Sequence, residues 1–450
     1  MHILVLNGAP AGENSITLQT VRYLEKRFQQ ETFEVLHVGQ RIRSIEKDFD
    51  KAKAALEGAD LLLFCYPVYT FLVPSQLHRF IELIKERADV KGKFAAQITT
   101  SLHFYDVTAH RFIRDNCDDL GLRYLGGLSA DMEDLLKAQG RKEAEDFFSH
   151  LLWMVQENLY ERPFYPLSSE QPRFVPAPLG AAGVQPPSKG DRRVAIVADL
   201  NSDALKEMVE RFRAVSPFTI VTVNLQEFPF AGGCLGCFHC AADGTCIYKD
   251  GFDSFLREKI QSADAIVYAF SIRDHSMGYR MKLFDDRQFC NGHRTVTMGK
   301  PVGYLIDGAY DREPNLRMLI ESRAEVGGNF LAGVATNEAD PASEIEQLAA
   351  RLDYAIQNDY QQPKTFYGVG GMKVFRDLIY QMRGLMREDH RFYKEHGFYD
   401  FPQKRKGRII GMYLVGAMMR SKRLQKKIGS RMTEGMLMPY KKALEESDKH

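Results

Sequence analysis

Two rounds of the same pattern, in which short apolar segments alternate with amphipathic stretches, limit the fold more than any other feature of this chain. In the first round, His2 to Leu6 is an apolar segment, and a loop and a helical pattern from Ile16 follow it. Further apolar segments at 33–38, 59–65, 94–99 and 123–127 alternate with helical patterns. Continuous apolar strands separated by helices are typical of a parallel sheet that is covered on both faces.

The same order begins again after Arg193. Apolar segments at 194–198, 218–224, 263–270 and 301–306 alternate with helical patterns that include 201–214 and 250–261. The third segments are similar in sequence, since Gly-Ala-Asp-Leu-Leu-Leu-Phe at 58–64 matches Ser-Ala-Asp-Ala-Ile-Val-Tyr at 262–268. The chain is therefore predicted to be an α/β protein with two tandem, doubly wound parallel sheets and a helical C-terminal extension.

Proline content indicates where the two halves are joined. Residues 163–187 hold seven of the 18 prolines, a composition that favours an extended linker over packed helix. We therefore predict a first α/β domain at 1–162, a linker at 163–192, a second α/β domain at 193–362 and a helical extension at 363–450. A chain of 450 residues is long enough for several hydrophobic cores.

Charge separates the extension from the rest of the chain. Residues 364–450 carry twenty Lys or Arg and nine Asp or Glu, a net charge of +11, which leaves −10 for the first 363 residues of a chain whose total is +1. Its basic, Met-rich helices are suited to peripheral contact with an anionic membrane or to an acidic partner. They are equally suited to folding back on the acidic body, which we favour slightly. No nucleic-acid-binding motif is present, so no nucleic-acid partner is expected.

Cysteine usage and hydropathy indicate the compartment. Four of the seven cysteines lie between Cys234 and Cys246, which favours metal or redox chemistry in a reducing environment over a secreted disulfide framework. The N-terminus lacks the pattern of a secretory signal, and the longest nearly uncharged apolar run, Ile409 to Met419, is far shorter than the roughly 20 residues of a membrane span. We expect a cytoplasmic protein without a transmembrane helix.

Three loops of the first half follow strands whose carboxyl ends meet at one edge of the sheet. The first loop can bind phosphate through free amides at a helix N-terminus, and the second offers aromatic residues and prolines that suit a flat ring. Each loop also has a purely structural interpretation, a helix cap at Ser15 or an apolar rim at 67–74, but their convergence favours a bound ligand. The candidate ligand-binding residues are Asn14, Ser15, Thr17, Pro67, Val68, Tyr69, Thr100, Ser101, His103 and Tyr105.

The cysteine cluster of the second half has the spacing C-x2-C-x2-C-x5-C. Its members, Cys234, Cys237, Cys240 and Cys246, are four thiols within 13 residues, and glycines at 233, 236 and 244 allow the backbone to bend around a compact inorganic centre. Structural zinc usually takes two separated C-x2-C pairs, and two disulfides are disfavoured in a reducing compartment. The remaining cysteines are predicted to be buried thiols without a chemical role.

These segments resemble a known family. The loop at Asn14 to Thr17, the segment Tyr66-Pro-Val-Tyr69 with its following helix and the loop at Thr99 to Ser101 are similar to the FMN-binding segments of the flavodoxin-like NAD(P)H-dependent FMN reductases. The spacing of the four cysteines resembles that of the iron-sulfur flavoproteins, in which it holds a 4Fe-4S cluster. The resemblance implies FMN in the first half and the cluster in the second.

The second half departs from the pattern of an FMN site. Its first loop, Asp199 to Asp203, is acidic and lacks glycine, although Lys282 to Arg287 resembles a helix of the same family. We therefore favour a degenerate second domain that is retained for its cluster over a domain that binds a second FMN. Asp285 and Arg287 are also consistent with a simple ion pair on a helix surface.

The resemblance implies an oxidoreductase that passes electrons between NAD(P)H or ferredoxin and a small-molecule or protein acceptor. Neither residue patterns nor resemblance identify a catalytic acid or base. Two alternatives remain open. The first is an NAD(P)H-dependent FMN or quinone reductase without a cluster. The second is a non-catalytic flavodoxin-fold scaffold that its basic tail recruits to a membrane or a partner.

Overall fold

The computed structural model describes residues 1–163, 174–180, 191–418 and 420. Within these residues the first half has five strands and six α-helices. The strands are β1 (His2–Asn7), β2 (Thr32–Leu36), β3 (Leu61–Pro67), β4 (Phe94–Ser101) and β5 (Arg123–Asp131). The helices are α1 (Ile16–Arg27), α2 (Val38–Lys47), α3 (Asp50–Gly58), α4 (Ser75–Arg87), α5 (Asp106–Asp119) and α6 (Ala138–Gln156).

The remaining described residues add five strands and nine α-helices. The strands are β6 (Arg193–Ala198), β7 (Thr219–Asn224), β8 (Ala265–Ser271), β9 (Pro301–Asp307) and β10 (Phe330–Thr336). The helices are α7 (Asp203–Val215), α8 (His239–Asp243), α9 (Phe252–Phe255), α10 (Gly278–Arg287), α11 (Pro314–Gly327), α12 (Pro341–Gln357), α13 (Phe366–Gln381), α14 (Arg387–Glu395) and α15 (Lys406–Met418). A π-helical turn, Leu256–Gln261, continues α9.

Both sheets are parallel and have the same strand order. The first runs β2-β1-β3-β4-β5, and the second runs β7-β6-β8-β9-β10, which is the same order of strands within its own half. This is the doubly wound arrangement of flavodoxin-like folds. The predicted fold class is therefore confirmed, including the helical C-terminal region.

Strand β1 illustrates why its sequence is continuously apolar. Ile3 and Val5 belong to one hydrophobic core and Leu4 and Leu6 to another, because successive side chains point to opposite faces of the sheet. All four are fully buried. A sheet covered on both faces leaves no position from Ile3 to Leu6 for a polar side chain.

The sequence analysis did not predict several elements, among them helix α2 and strand β10. Helix α2 begins within the segment 33–38 that was predicted to be strand, and its N-terminal neighbour His37 makes no capping hydrogen bond with its side chain, so the usual start signal is absent. Strand β10 lies at an edge and contains Ala332 and Gly333, residues of low strand propensity. Its pairing with β9 compensates for that composition.

Residues Met1–Phe392 form one compact unit, and Tyr393–His450 form a second. Within the first unit, α4 of one half packs against α10 of the other. Leu77 and Ile81 of α4 belong to the same hydrophobic core as Met281 and Phe284 of α10. The two sheets thus share a buried core, as two subunits of a dimer would.

The predicted linker lies largely outside the described residues, which omit 164–173 and 181–190. In the described part of the predicted extension, residues up to Phe392 belong to the unit that contains both sheets. The basic residues and methionines at 421–450 lie outside the described residues. No helix in the described ranges combines the length and apolar character needed to cross a membrane.

Candidate active site

One cavity of about 590 Å³ joins the two halves of the first unit. It lies at the carboxyl ends of β1, β3 and β4, where a parallel sheet of this order binds its ligands. Eight of the ten candidate ligand-binding residues line it, and so do all four cysteines of the motif. The eight are Asn14, Ser15, Thr17, Pro67, Val68, Tyr69, Thr100 and Ser101.

The first loop is held in shape by Asn7 at the end of β1. The Asn7 side chain donates a hydrogen bond to the carbonyl of Gly12 (3.0 Å) and accepts one from the amide of Ala9 (3.2 Å). Ser15 is the N-cap of α1, since its hydroxyl accepts a hydrogen bond from the amide of Leu18 (3.4 Å). Because Ser15 also lines the cavity, the capping and ligand-binding interpretations of this residue are compatible.

Thr17 connects the first loop to the third. Its hydroxyl lies 2.6 Å from the hydroxyl of Thr100, and both side chains are buried. The amides of Ile16 and Thr17 belong to the first turn of α1, whose amides have no acceptor within the helix. This turn is therefore a site of positive potential at one end of the cavity.

The carboxylate of Glu13 is paired with two side chains beside this loop. It accepts a hydrogen bond from Arg22 (2.8 Å) and lies 3.0 Å from the ring nitrogen Nε2 of His37. Although desolvation acts in the opposite direction, Arg22 and His37 hold the pKa of Glu13 below its usual value. Its charge is thus compensated within the protein.

The second loop follows β3 and turns sharply. Thr70 and Phe71 both have positive φ, at 40° and 71°, a conformation that is unusual for residues with side chains. Lys282, which is fully buried, donates to the carbonyl of Tyr69 (2.8 Å) and to the hydroxyl of Thr70 (2.6 Å). A cation from the second half therefore stabilises the strained loop of the first.

Helix α10 supplies three further buried charges. Asp286 pairs with Lys282 and accepts hydrogen bonds from the Thr70 hydroxyl and the Ser75 amide, both at 2.7 Å. Asp285 pairs with Arg323. These charges lie in the interior between the two halves, where an unpaired ion would be strongly destabilising.

Arg287 completes this set. Its guanidinium makes two hydrogen bonds to Asp250, both at 2.8 Å, and lies over the rings of Tyr248 and Phe252. The side chain is 1% exposed. Asp285 and Arg287 thus have separate buried partners, and the surface pair considered from sequence does not form.

His78 and Glu82 of α4 lie opposite the loop after β8. Together with Asp274 they offer three potential metal-ligating atoms within 4.8 Å of one another. Both carboxylates already have cationic partners, since Arg79 binds Glu82 (2.7 Å) and Lys85 binds Asp274 (2.9 Å). The group is therefore better described as a buried ion-pair cluster between the halves than as a site for a divalent cation.

The cysteine segment packs directly against the second loop of the first half. Gly236 has φ of +63°, and a Cβ at this position would lie closer than 3.0 Å to the hydroxyl oxygen of Tyr69. The amide of Gly236 points to the sulfur of Cys234 at 3.5 Å. Glycine is thus required here both by the backbone conformation and by the close approach of the two halves.

The four thiols line the same cavity; Cys237 is exposed and the other three are partly buried. Burial raises the pKa of Cys234 to about 12 and that of Cys240 to about 11, and the neighbouring cysteines add to both shifts. The Cys240 thiol donates to the carbonyl of Phe289 (2.8 Å). The thiols of Cys234 and Cys240 are therefore protonated at neutral pH.

The corresponding edge of the second sheet is closed by its own polar side chains. Asp307 accepts hydrogen bonds from Ser202 (2.6 Å), Ser271 (2.7 Å) and Asn337 (2.7 Å). Asp199 similarly accepts from Gln226 (3.1 Å). Carboxylates thus occupy the strand ends at which a phosphate would need donors, in agreement with a degenerate second site.

His103 and Tyr105 do not line the cavity. His103 is exposed and its ring lies 2.8 Å from the carboxylate of Asp106. The hydroxyl of Tyr105 donates to the carbonyl of Tyr367 (2.5 Å). The structure therefore brings together eight of the ten candidate residues of the first half and leaves these two outside.

Helix α13 forms a wall of the cavity that the sequence analysis did not predict. Val374, Phe375, Leu378 and Met382, the last just beyond the helix end, line the cavity. Phe375 stacks on Phe104 of the third loop with ring centroids 4.2 Å apart. The helical periodicity of these apolar residues was the available signal, but it did not indicate which surface they cover.

Three comparisons relate the chain to known proteins. A family model described as NADPH-dependent FMN reductase matches residues 1–111. An iron-sulfur flavoprotein of Archaeoglobus fulgidus is 25% identical over 174 residues, which cover 37% of this chain and 79% of the relative.

Solved structures were compared as well. An FMN-dependent NADH-azoreductase from Bacillus anthracis, in complex with FMN, is 13% identical, with 35% of this chain and 98% of that chain covered and a TM-score of 0.27. An NAD(P)H:quinone oxidoreductase from Methanothermobacter marburgensis is 12% identical, with 36% and 98% covered and a TM-score of 0.28. We base the fold on strand order and not on these alignments. The chain is a flavodoxin-like α/β protein whose N-terminal 111 residues match the NADPH-dependent FMN reductases, a family of oxidoreductases.

Proposed function

We propose that this protein is an NAD(P)H- or ferredoxin-linked oxidoreductase that binds FMN in the first half and a 4Fe-4S cluster on Cys234, Cys237, Cys240 and Cys246. The observation that carries the proposal is the single cavity lined both by the three loops of the first half and by all four cysteines. When bound, FMN exchanges two electrons with a hydride donor and single electrons with an iron–sulfur cluster.

The residues of the first half fit FMN in chemistry and in size. The first turn of α1 offers amides and the Ser15 hydroxyl to a phosphate, and Pro67, Val68 and Tyr69 offer a largely apolar edge to a flat ring. The Thr17–Thr100 hydrogen bond keeps the first and third loops in register. Charge on Glu13 does not oppose a phosphate, because Arg22 and His37 compensate it.

The cysteines fit a polynuclear cluster better than a single zinc ion. Structural zinc usually takes two separated C-x2-C pairs, whereas the four cysteines here lie within 13 residues with the spacing C-x2-C-x2-C-x5-C. The Gly236 amide is positioned to stabilise charge on Cys234.

Other residues around the cavity hold the FMN-binding loops and the cysteine segment in position and exclude water. Lys282 and Asp286 hold the loop that carries Tyr69, and Gly236 allows the cysteine segment to approach that loop. Phe375 and Leu378 of α13 cover the cavity with apolar surface. An acceptor that enters this cavity therefore meets a mostly apolar wall.

The experiment that tests the cofactor assignment is an anaerobic purification with FMN, iron and zinc quantified and with visible and EPR spectra recorded. Replacing Asn14, Ser15 and Thr17 together by Ala should weaken FMN binding, by about 1.5 to 3 kcal/mol for each charge-assisted hydrogen bond to phosphate that is lost. Iron content should stay unchanged. Unchanged FMN occupancy in this variant would refute the assignment of FMN to the first half.

The test of the cluster is Cys237→Ser, with Cys117→Ala as the matched control. Cys117 is a buried thiol in α5 that does not line the cavity. Cys237→Ser should abolish the cluster signal and the transfer of single electrons to an acceptor. The FMN content should stay the same, and so should the rate at which NADH, NADPH or reduced ferredoxin reduces the FMN, which stopped flow measures. Full one-electron output without iron would instead favour an FMN or quinone reductase without a cluster, and a protein without either cofactor would favour the scaffold.

A further inference from the structure

Helix α15 exposes apolar side chains in the second compact unit. Four apolar side chains of this helix are between 60% and 77% exposed: Ile410, Met412, Tyr413 and Leu414. Soluble proteins rarely expose a contiguous apolar patch of this kind. A Cβ at Gly407, Gly411 or Gly416 would meet nothing within 4 Å. Within the described residues of the second unit, nothing therefore packs against these positions of the helix.

The exposed apolar surface surrounds α15 instead of forming a single stripe. On a helix of 3.6 residues per turn, Ile410 and Leu414 lie about 40° apart on one face, whereas Met412 lies about 200° from Ile410 on the opposite face. A helix that docks in a protein groove needs one apolar face, whereas a helix that is apolar on all sides requires an environment that is apolar around it. A lipid bilayer meets this requirement better than the groove of a protein partner.

The charges that flank α15 determine which bilayer fits. Residues 401–433 contain ten Lys or Arg and no Asp or Glu. Lys406 and Arg408 lie in the first turn of α15, and Arg420 follows the helix. Arg405 pairs with Asp400 of the preceding segment. Within residues 401–433, no acidic residue compensates the other cations. Cations at both ends of an apolar segment are complementary to anionic lipid headgroups.

Length limits the mode of insertion. The 13 residues of α15 extend about 20 Å, and the apolar run from Ile409 is shorter than the roughly 20 residues of a membrane span. We propose that α15 is an anchor that inserts into one leaflet of an anionic phospholipid bilayer, with its apolar side chains in the acyl region and its flanking cations among the headgroups. This proposal is independent of the cofactors.

The first test is flotation of the full-length protein with vesicles of phosphatidylcholine alone or mixed with phosphatidylserine. Binding should require phosphatidylserine and weaken as salt is added, because headgroup attraction is screened. Ile410→Glu with Leu414→Glu should lower the partition coefficient more than about tenfold, since two apolar side chains are then no longer buried in the acyl region. The matched control, Val107→Glu with Leu136→Glu, replaces two exposed apolar residues of the first unit and should bind as the original protein does.

The second test reports the environment of α15 directly. Trp153, the one tryptophan of the chain, is half exposed, so Trp153→Phe with Tyr413→Trp moves the fluorescent reporter to α15. Its emission should be that of an exposed indole in buffer, and it should shift to shorter wavelength and become protected from acrylamide when phosphatidylserine vesicles are added.

Three outcomes would overturn the proposal. Emission that is already shifted and protected without vesicles would mean that another part of this chain covers α15. Concentration-dependent self-association that the two Glu substitutions abolish would assign the surface to a second copy. Absence of binding to anionic vesicles by the folded full-length protein would exclude the bilayer. FMN and iron content of the same preparations distinguishes these results from a failure of the proposed redox function.

Discussion

Replacement of Gly236 by Ala tests the contact between the two halves at the proposed site. An alanine at φ of +63° costs about 1 to 2 kcal/mol in a left-handed backbone conformation. Its Cβ would also overlap the Tyr69 hydroxyl, and overpacking of this kind costs about 1 to 3 kcal/mol more. Gly236→Ala should therefore lower the free energy of unfolding by about 2 to 5 kcal/mol.

A double-mutant cycle separates these two contributions. In Tyr69→Phe the hydroxyl is absent, and the nearest remaining atom is the ring carbon Cζ, at 3.1 Å from the added Cβ. Gly236→Ala should then cost only the backbone contribution, so the coupling free energy between the two sites should be about 1 to 3 kcal/mol. Gly92→Ala is the matched control, because Gly92 has φ of +79° and a Cβ there would meet nothing within 4 Å.

The assay is urea unfolding of the four variants of the cycle and the control, followed by far-ultraviolet circular dichroism. The midpoints should change while the slope with urea stays constant, since the surface exposed on unfolding is the same. If Gly236→Ala and Gly92→Ala destabilise equally, and Tyr69→Phe does not relieve the former, then the cysteine segment does not contact the second loop. The cavity would in that case not join the two halves as described.

Two further predictions concern buried charges of the first unit. Desolvation lowers the pKa of His275, but the carboxylates of Asp119 and Glu313 outweigh it and raise this pKa to about 10. The charged His275 therefore stabilises the fold fully below about pH 6.5, the pKa of an unfolded histidine, and this contribution is lost as the pH rises toward 10. His275→Gln should lower the free energy of unfolding at pH 6 and flatten its decline between pH 7 and 10, and a parallel decline in both proteins would contradict the assignment. Arg287→Lys should cost about 2 to 3 kcal/mol in urea unfolding, because lysine replaces neither the two hydrogen bonds to Asp250 nor the stacking, whereas the exposed control Arg213→Lys should stay within about 0.5 kcal/mol.

Local patterns of the chain were sufficient to predict the α/β fold. The buried strand at Ile3 to Leu6 is continuously apolar because both faces of the sheet are covered, and this signal depends only on neighbouring residues. The same is true of Ser15 as a helix cap and of the cysteine spacing, which lies within one short segment. Strand β10, by contrast, has a composition that does not favour strand, and it exists because of its pairing with β9.

Predicting the candidate site required both the local sequence patterns and the contacts between distant parts of the chain. The residues that follow β1, β3 and β4 could be placed at one edge of the sheet, because the carboxyl ends of parallel strands meet there. His103 and Tyr105 follow the same rule in the sequence, yet they lie outside the cavity, where His103 contacts Asp106 and Tyr105 donates to the carbonyl of Tyr367. Tyr367 is more than 260 residues away in the sequence, so no local pattern indicated this contact.

The sequence by itself determined the alternation of strands and helices, the helix cap at Ser15 and the spacing of the four cysteines, since each of these depends on residues close in the chain. Only the tertiary structure decided that Gly236 contacts Tyr69, that Lys282 supports a loop more than 200 residues away in the sequence, and that α13 covers the cavity. These contacts depend on how α4 and α10 pack. That packing is set by complementary shape and paired buried charge across two distant segments, a property that no local pattern of residues encodes.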